Sequence, residues 1–337
     1  MLRFASVQAR STRKRSAERP AALVSLWLVA ILTAWSLAAC SVGPKNRAGQ
    51  TAAGPRKEAA VEPYVLVGAG DIAGCRSLAG AAETAELIEK IPGAVFAAGD
   101  LAYERGTAQE FKNCYDPTWG RFKDRTWPTP GNREYATPAG SAYFAYWGER
   151  AGSAERGYYS FDLGRWHVIA LNTNCKAPGV GGCEAGSAEE KWLRQDLEDH
   201  GRSCMVAFGH HALYSSGIFK SHAVHLELRD LWRDLYAAHA DLVLAGHEHS
   251  YERFAPQDPD GHLDAAEGIR EFVIGTGGRS HSPLGSPMPN SEVRDNDTFG
   301  VLKLTLWPDR YTWEFIPVRG SEGFHDSGEG SCHNSRR

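Results

Sequence analysis

Short, largely apolar runs recur along this chain, and most end on a glycine followed by a potential metal ligand. Residues 64–69 (YVLVGA) run into Gly70-Asp71 and 94–98 (AVFAA) into Gly99-Asp100. Residues 204–208 (CMVAF) run into Gly209-His210 and 241–245 (DLVLA) into Gly246-His247. Uniformly apolar runs of this length read as strands buried on both faces. Between the first two, residues 80–90 carry a helical pattern, so this part reads β-α-β. Strands at 157–163 and 166–171, joined by a Gly-Arg turn, precede a helix opened by the capping box Ser187-Ala188-Glu189-Glu190. That helix runs to about His200, with Trp192, Leu193 and Leu197 on one face, and a further helix covers 224–239. From 271 to 318 the pattern is mostly strands, ending in the alternating YTWEFIPV. The stretch 106–140 reads as loops with one irregular helix. Its aromatics, with those just beyond (Trp119, Trp127, Tyr143, Phe144, Tyr146, Trp147), read as a packing cluster. With no linker after residue 63, the pattern predicts one α/β domain with both mixed and antiparallel sheet.

Composition sharpens this picture at the N-terminus. The 337 residues carry a net charge of −4, which excludes a broad polybasic nucleic-acid surface. Six basic residues crowd the first 19 positions, so the chain from Ser41 on is −9. A basic flank followed by the uncharged run 21–39 is an export pattern. Its end, Leu37-Ala38-Ala39-Cys40, resembles a bacterial lipobox, in which the cysteine is lipidated. A retained membrane anchor and plain signal cleavage stay open as alternatives. The expected organisation is an export signal at 1–40, a flexible tether at 41–62 and one catalytic domain at 63–337. The protein is then exported, either as a surface lipoprotein or secreted or periplasmic, with its oligomeric state open. In an oxidising compartment the six remaining cysteines are expected to pair. Of the 15 possible pairings, the favoured one joins Cys175 to Cys183, Cys75 to Cys114 and Cys204 to Cys332.

Each strand-end ligand is weak on its own, because Asp and Asn after a strand are ordinary turn residues. Together, in order, Gly70-Asp71, Gly99-Asp100 with Tyr103, Gly131-Asn132-Arg133-Glu134, Gly209-His210 and Gly246-His247-Glu248-His249 form a set that chance does not supply. This set resembles the calcineurin-like metallophosphoesterases, and Tyr103 resembles the marker of their purple acid phosphatase branch. The resemblance runs from about residue 64 to 255. It implies a four-layer αββα sandwich of two mixed sheets flanked by helices. It also implies that the N-terminal β-sandwich of the plant members is absent.

The resemblance further implies two metal ions. Asp71, Asp100, Tyr103 and His249 would hold the first, with Fe3+ expected there. Asp100, shared, with Asn132, His210 and His247 would hold the second, expected to be Zn2+, Mn2+ or Fe2+. Anionic oxygens suit a hard trivalent ion, and an amide with two imidazoles suits a divalent one. Such a pair holds a bridging hydroxide and clamps a phosphate ester, so the implied function is a phosphomonoesterase. A phosphodiesterase, or a catalytically weakened surface protein that binds metal or phosphate, are the alternatives. One position departs from the family pattern: Arg133 stands where the family has histidine. Arginine clamps phosphate but cannot serve as a general acid. Its other reading is a loop salt bridge with Glu134 or a neighbour. His211 and His222 are the candidates for the missing acid. Thr276-Gly277-Gly278 reads as a turn approaching the site, and Asp295 and Asp297 as surface loop.

Overall fold

In the computed structural model, which describes residues 62–153, 156–218, 226–321 and 323–336, the first strand faces two cores. This strand, β1 (Tyr64–Ala69), sends Leu66 into one apolar core and Val67 and Ala69 into another. Burial on both faces is what its uninterrupted apolar run predicts. Next come β2 (Ala73–Gly74), β3 (Ala94–Ala98), β4 (Ala102–Tyr103) and β5 (Thr126–Thr129). The middle of the chain supplies β6 (Tyr159–Leu163), β7 (Trp166–Ala170), β8 (Cys204–Gly209) and β9 (Leu242–Ala245). The last part supplies β10 (Tyr251–Phe254), β11 (Arg270–Ile274), β12 (Ser291–Asp295), β13 (Gly300–Leu306), β14 (Arg310–Pro317) and β15 (Ser327–Ser331).

One sheet has the order β15-β14-β13-β1-β3-β5 and the other β12-β10-β11-β9-β8-β7-β6. Both are mixed. β1, β3 and β5 are parallel, as are β7, β8, β9 and β11; antiparallel strands extend the first set beyond β1 and the second on both sides. Leu66, Phe96, Phe208, Leu244, Phe272 and Leu304 meet between the sheets. The outer face of the first sheet is covered by the helix Ala79–Lys90 together with Trp119, Tyr143 and Trp147. The helices Ala188–Asp199 and Arg229–Ala237 cover the other through Leu193, Leu197, Leu231 and Trp232. The result is the expected four-layer αββα sandwich, with the carboxyl ends of β1, β3, β8 and β9 on one rim.

The three expected disulfides form: Cys75–Cys114, Cys175–Cys183 and Cys204–Cys332. Several elements differ from the sequence reading. β5 lies inside the stretch read as loops. It is short, contains Pro128 and occupies a sheet edge, where a missing N–H is tolerated. Of the aromatic cluster, Trp127 belongs instead to the inter-sheet core and stacks on Phe161 at 4.0 Å. The capping box is half formed. Ser187 accepts from the Glu190 N–H, but the Glu190 carboxylate takes the N–H of Gly186. Asp295 lies in β12 and accepts the N–H groups of Asp297 and Thr298. The export segment and nearly all of the tether lie outside the described residues, as does His222. Among the described residues no helix is long and apolar enough to cross a membrane.

Candidate metal centre

Asp71, Asp100 and His247 each follow a glycine, and each has a positive φ, of 59°, 53° and 72°. Left-handed backbone at a residue other than glycine costs of order 1–3 kcal/mol and gathers at functional sites. The turns after β1, β3 and β9 thus aim three polar side chains at one point on the rim. Glycine is needed next to them: a Cβ on Gly131 would overlap the Asp100 carboxylate, and one on Gly99 would lie 2.5 Å from His210 Nδ1.

Two triangles of donor atoms result. In the first, the Tyr103 hydroxyl donates to Asp71 Oδ1 at 2.5 Å, and His249 Nε2 lies 3.1 Å from that hydroxyl and 3.2 Å from Asp71 Oδ1. In the second, Asn132 Oδ1 lies 3.1 Å from both His210 Nε2 and His247 Nδ1, which are 3.2 Å from each other. Asp100 Oδ1 stands 3.4 Å from His210 Nε2, and Asp71, Asp100 and His210 form one close group. Ligands at right angles on bonds of 2.0–2.2 Å lie about 3.0 Å apart, so both triangles have the edge lengths of a coordination shell. The proton positions agree. His210 Nδ1 donates to the carbonyl of Ala98 at 3.0 Å, which leaves the Nε2 lone pair facing the Asn132 oxygen. Two acceptors 3.1 Å apart beside a buried carboxylate are a place for a cation. The residues present therefore fit a pair of metal ions.

The electrostatics point the same way. Burial opposes ionisation of Asp71, but the charge and hydrogen bond of His249 outweigh it and hold its carboxyl below the usual range. Burial raises Asp100, and repulsion from Asp71 adds to that despite His210. Burial, then the charges of Asp100 and Asp71, drive the Tyr103 phenol well above its ordinary value. Burial and mutual repulsion thus oppose ionising all three groups together, and a cation among them would relieve that opposition.

Around the triangles, the Thr276–Gly278 turn does approach the site. Gly277 N–H bonds to the carbonyl of Gly70 and Arg279 N–H to that of Asp71. The Arg279 guanidinium lies 5.0 Å from the Tyr103 ring and pairs with Glu104. Arg133 does not pair with Glu134. Its Nε sits 3.7 Å from Asp100 Oδ2 and its guanidinium carbon 5.5 Å from the Tyr103 ring. Glu134 is fully buried instead, accepting the N–H groups of Asp100, Leu101, Ala102 and Gly131. Burial and repulsion from Asp100 push it up to about 7 against those donors. Nothing periodic in the sequence marks this role. The one signal for it was the acidic residue two places after Asn132. His211 reaches the same rim, its ring 4.6 Å from that of His247.

The family model described as calcineurin-like phosphoesterase matches residues 62–251. Probable purple acid phosphatase 20 of Arabidopsis thaliana is 31% identical over 181 residues, covering 47% of this chain and 39% of the relative. Purple acid phosphatase 23 of the same plant is 29% identical, with 50% and 43% covered. The chain thus spans less than half the length of these curated relatives. Among solved structures, the purple acid phosphatase PPD1 from yellow lupin (Lupinus luteus) seeds superposes with a TM-score of 0.65 at 20% identity. That match covers 80% of this chain and 54% of the lupin chain.

Proposed function

The chain belongs to the calcineurin-like phosphoesterase family, and from that premise we propose that it hydrolyses phosphate monoesters at a two-cation site on the rim of the sandwich. The observation that carries this reading is the pair of donor triangles meeting at Asp100. In this reading Asp71, Tyr103 and His249 hold one ion, Asn132, His210 and His247 hold the other, and Asp100 is shared. When bound, such ions supply Lewis acidity toward a phosphoryl oxygen and lower the pKa of water. The phenol oxygen and carboxylate of the first triangle, with the Asp100 carboxylate beside it, suit Fe3+, and the amide and imidazoles of the second suit Zn2+, Mn2+ or Fe2+.

The protein's own groups orient the ester. Arg133, on the exposed lip beside Asp100, presents N–H donors to the phosphate's outer oxygens. Always charged, it fixes position and neutralises charge without giving up a proton. Ala98 and Ser280 hold the rings of His210 and His249 in orientation, through contacts of 3.0 and 2.7 Å. The three disulfides support export to an oxidising compartment, with residues 63–337 as the catalytic domain. Attachment through Cys40 belongs to the same proposal.

The test is hydrolysis of p-nitrophenyl phosphate against bis(p-nitrophenyl) phosphate, with Fe3+, Zn2+ and Mn2+ added singly and in pairs. Faster turnover of the monoester with a metal pair than with any one metal is the expected result. Preference for the diester would make the protein a phosphodiesterase. Metal binding without turnover of either ester would leave the weakened binding protein, in which Arg133 marks the lost catalysis.

A further inference from the structure

His211 follows a proposed ligand, its ring lies 4.7 Å from His210 and 4.6 Å from His247, and the three rings could share one ion. It also lines a cavity of about 250 Å3 together with Asn132, Tyr135, Asn174 and Lys176. Two roles therefore compete for it: third histidine on a cation, or donor to whatever enters the cavity. The hydrogen bonds of Thr173 decide between them.

The Thr173 hydroxyl oxygen accepts the backbone N–H of His210 at 3.1 Å and that of His211 at 2.9 Å. Both donors are amides, so their direction is fixed. A hydroxyl has two lone pairs and one proton. With both lone pairs engaged, the remaining capacity is donation, and His211 Nδ1 stands 2.9 Å away. Nδ1 must then be an acceptor, and in a neutral imidazole the proton sits on Nε2. Coordination through Nε2 would need the opposite tautomer, with Nδ1–H directed at an oxygen that has no lone pair left. His210 shows the contrasting arrangement: its Nδ1 faces a carbonyl, which can only accept, so its Nε2 is the open lone pair.

We propose that Thr173 is a positioning residue that fixes the proton of His211 on Nε2, making His211 a neutral hydrogen-bond donor toward a phosphate ester's oxygen and not a third histidine ligand. Only the donor's target rests on the hydrolytic reading above; the tautomer stands on geometry alone. A neutral imidazole donates a hydrogen bond without transferring its proton, so it stabilises charge developing on oxygen and does not act as a general acid. Of the two candidates for the missing acid, His211 and His222, this gives His211 a different role.

The experiment is nitrogen NMR on 15N-histidine-labelled protein, before and after addition of Zn2+, with His211→Gln identifying the resonances. The expected spectrum gives His211 a protonated ε nitrogen and an unprotonated δ nitrogen, both unchanged by Zn2+ while His210 and His247 shift. Thr173→Val should mix the tautomers and Thr173→Ser should restore them. With p-nitrophenyl phosphate, Thr173→Val should lower kcat about tenfold to a hundredfold with little change in KM. His211→Gln, which keeps an N–H, should outperform His211→Ala. A proton on Nδ1 in the wild type, or loss of the Nε2 proton on adding Zn2+, overturns the proposal. The expected tautomer in a protein that hydrolyses no phosphate ester upholds this inference and removes the hydrolytic reading.

Discussion

Glu134 accepts the backbone N–H of Asp100 at 2.9 Å, so a buried carboxylate outside both donor triangles fixes the residue that stands between them. Its other oxygen, Oε1, holds Leu101 at 2.9 Å, while Gly131 N–H, from the turn that carries Asn132, donates at 2.7 Å to the same Oε2 as Asp100. One side chain therefore ties together the turns after β3 and β5. Glu134→Gln replaces an acceptor with an NH2 facing backbone donors. Leaving such groups unsatisfied costs about 1–3 kcal/mol, and disturbing a group that orients ligands typically costs about tenfold to a hundredfold in metal affinity. Urea denaturation and competitive Zn2+ titration should both register the loss. An unchanged midpoint with unchanged affinity would mean that Glu134 positions nothing.

Arg133 gives the second prediction. Arg133→His exchanges the phosphate clamp for a proton donor, so it should slow the hydrolysis of p-nitrophenyl phosphate while favouring, relative to it, that of alkyl phosphates with poor leaving groups. General acid catalysis is worth about a hundred- to ten-thousandfold, so the selective gain should be visible in kcat/KM. Equal effects on both esters would assign Arg133 to phosphate binding alone.

His167 gives a prediction about pH. It is buried on β7, with Nδ1 2.8 Å from Asp162, Nε2 2.8 Å from Asp196 and its ring stacked on His200. Burial alone would lower the imidazole, but hydrogen bonds to Asp196 and Asp162 outweigh it and hold it above its ordinary 6.5. A folded value above the unfolded one stabilises the protein fully below about 6.5, and that increment disappears as pH rises through the folded value. Melting temperature should therefore fall through this window in the wild type and fall less in Asp196→Asn. Parallel profiles for the two proteins would refute the link.

The Cys204–Cys332 disulfide closes a separation of 128 residues and pins the C-terminal segment to β8. In the chain-entropy model a loop of this size is worth up to about 5 kcal/mol. A Cys204→Ser, Cys332→Ser double variant should melt well below the wild type yet keep its turnover, because the bond lies away from the metal centre. Loss of activity without loss of stability would contradict this assignment.

The sandwich was largely legible because apolar runs mark doubly buried strands, and the candidate metal centre stood out because most of its proposed ligands follow glycines near the ends of strands. Elements without such a pattern stayed hidden. β5 is short and interrupted by Pro128, β12 is half-exposed and carries charge, and β15 is glycine-rich. Glu134 and Thr173 were missed for another reason. Both act by bonding backbone amides of distant segments, and such bonds leave no periodicity in a sequence. Arg133 could be singled out by its departure from the family pattern, but its neighbour Asp100 became apparent only in three dimensions.

The Tyr103 assignment has an optical signature. Iron-loaded wild type should show a visible charge-transfer band that is lost in Tyr103→Phe. A colourless iron-loaded wild type would remove Fe3+ from the first triangle.

The central claim is that two cations share Asp100, and metal content per chain tests it most directly. The account predicts two ions in the wild type, about one in His249→Ala and in His247→Ala, and fewer than one in Asp100→Asn, each measured on folded protein after equilibration with excess metal. A single ion in the wild type, or a content that Asp100→Asn leaves unchanged, would contradict it.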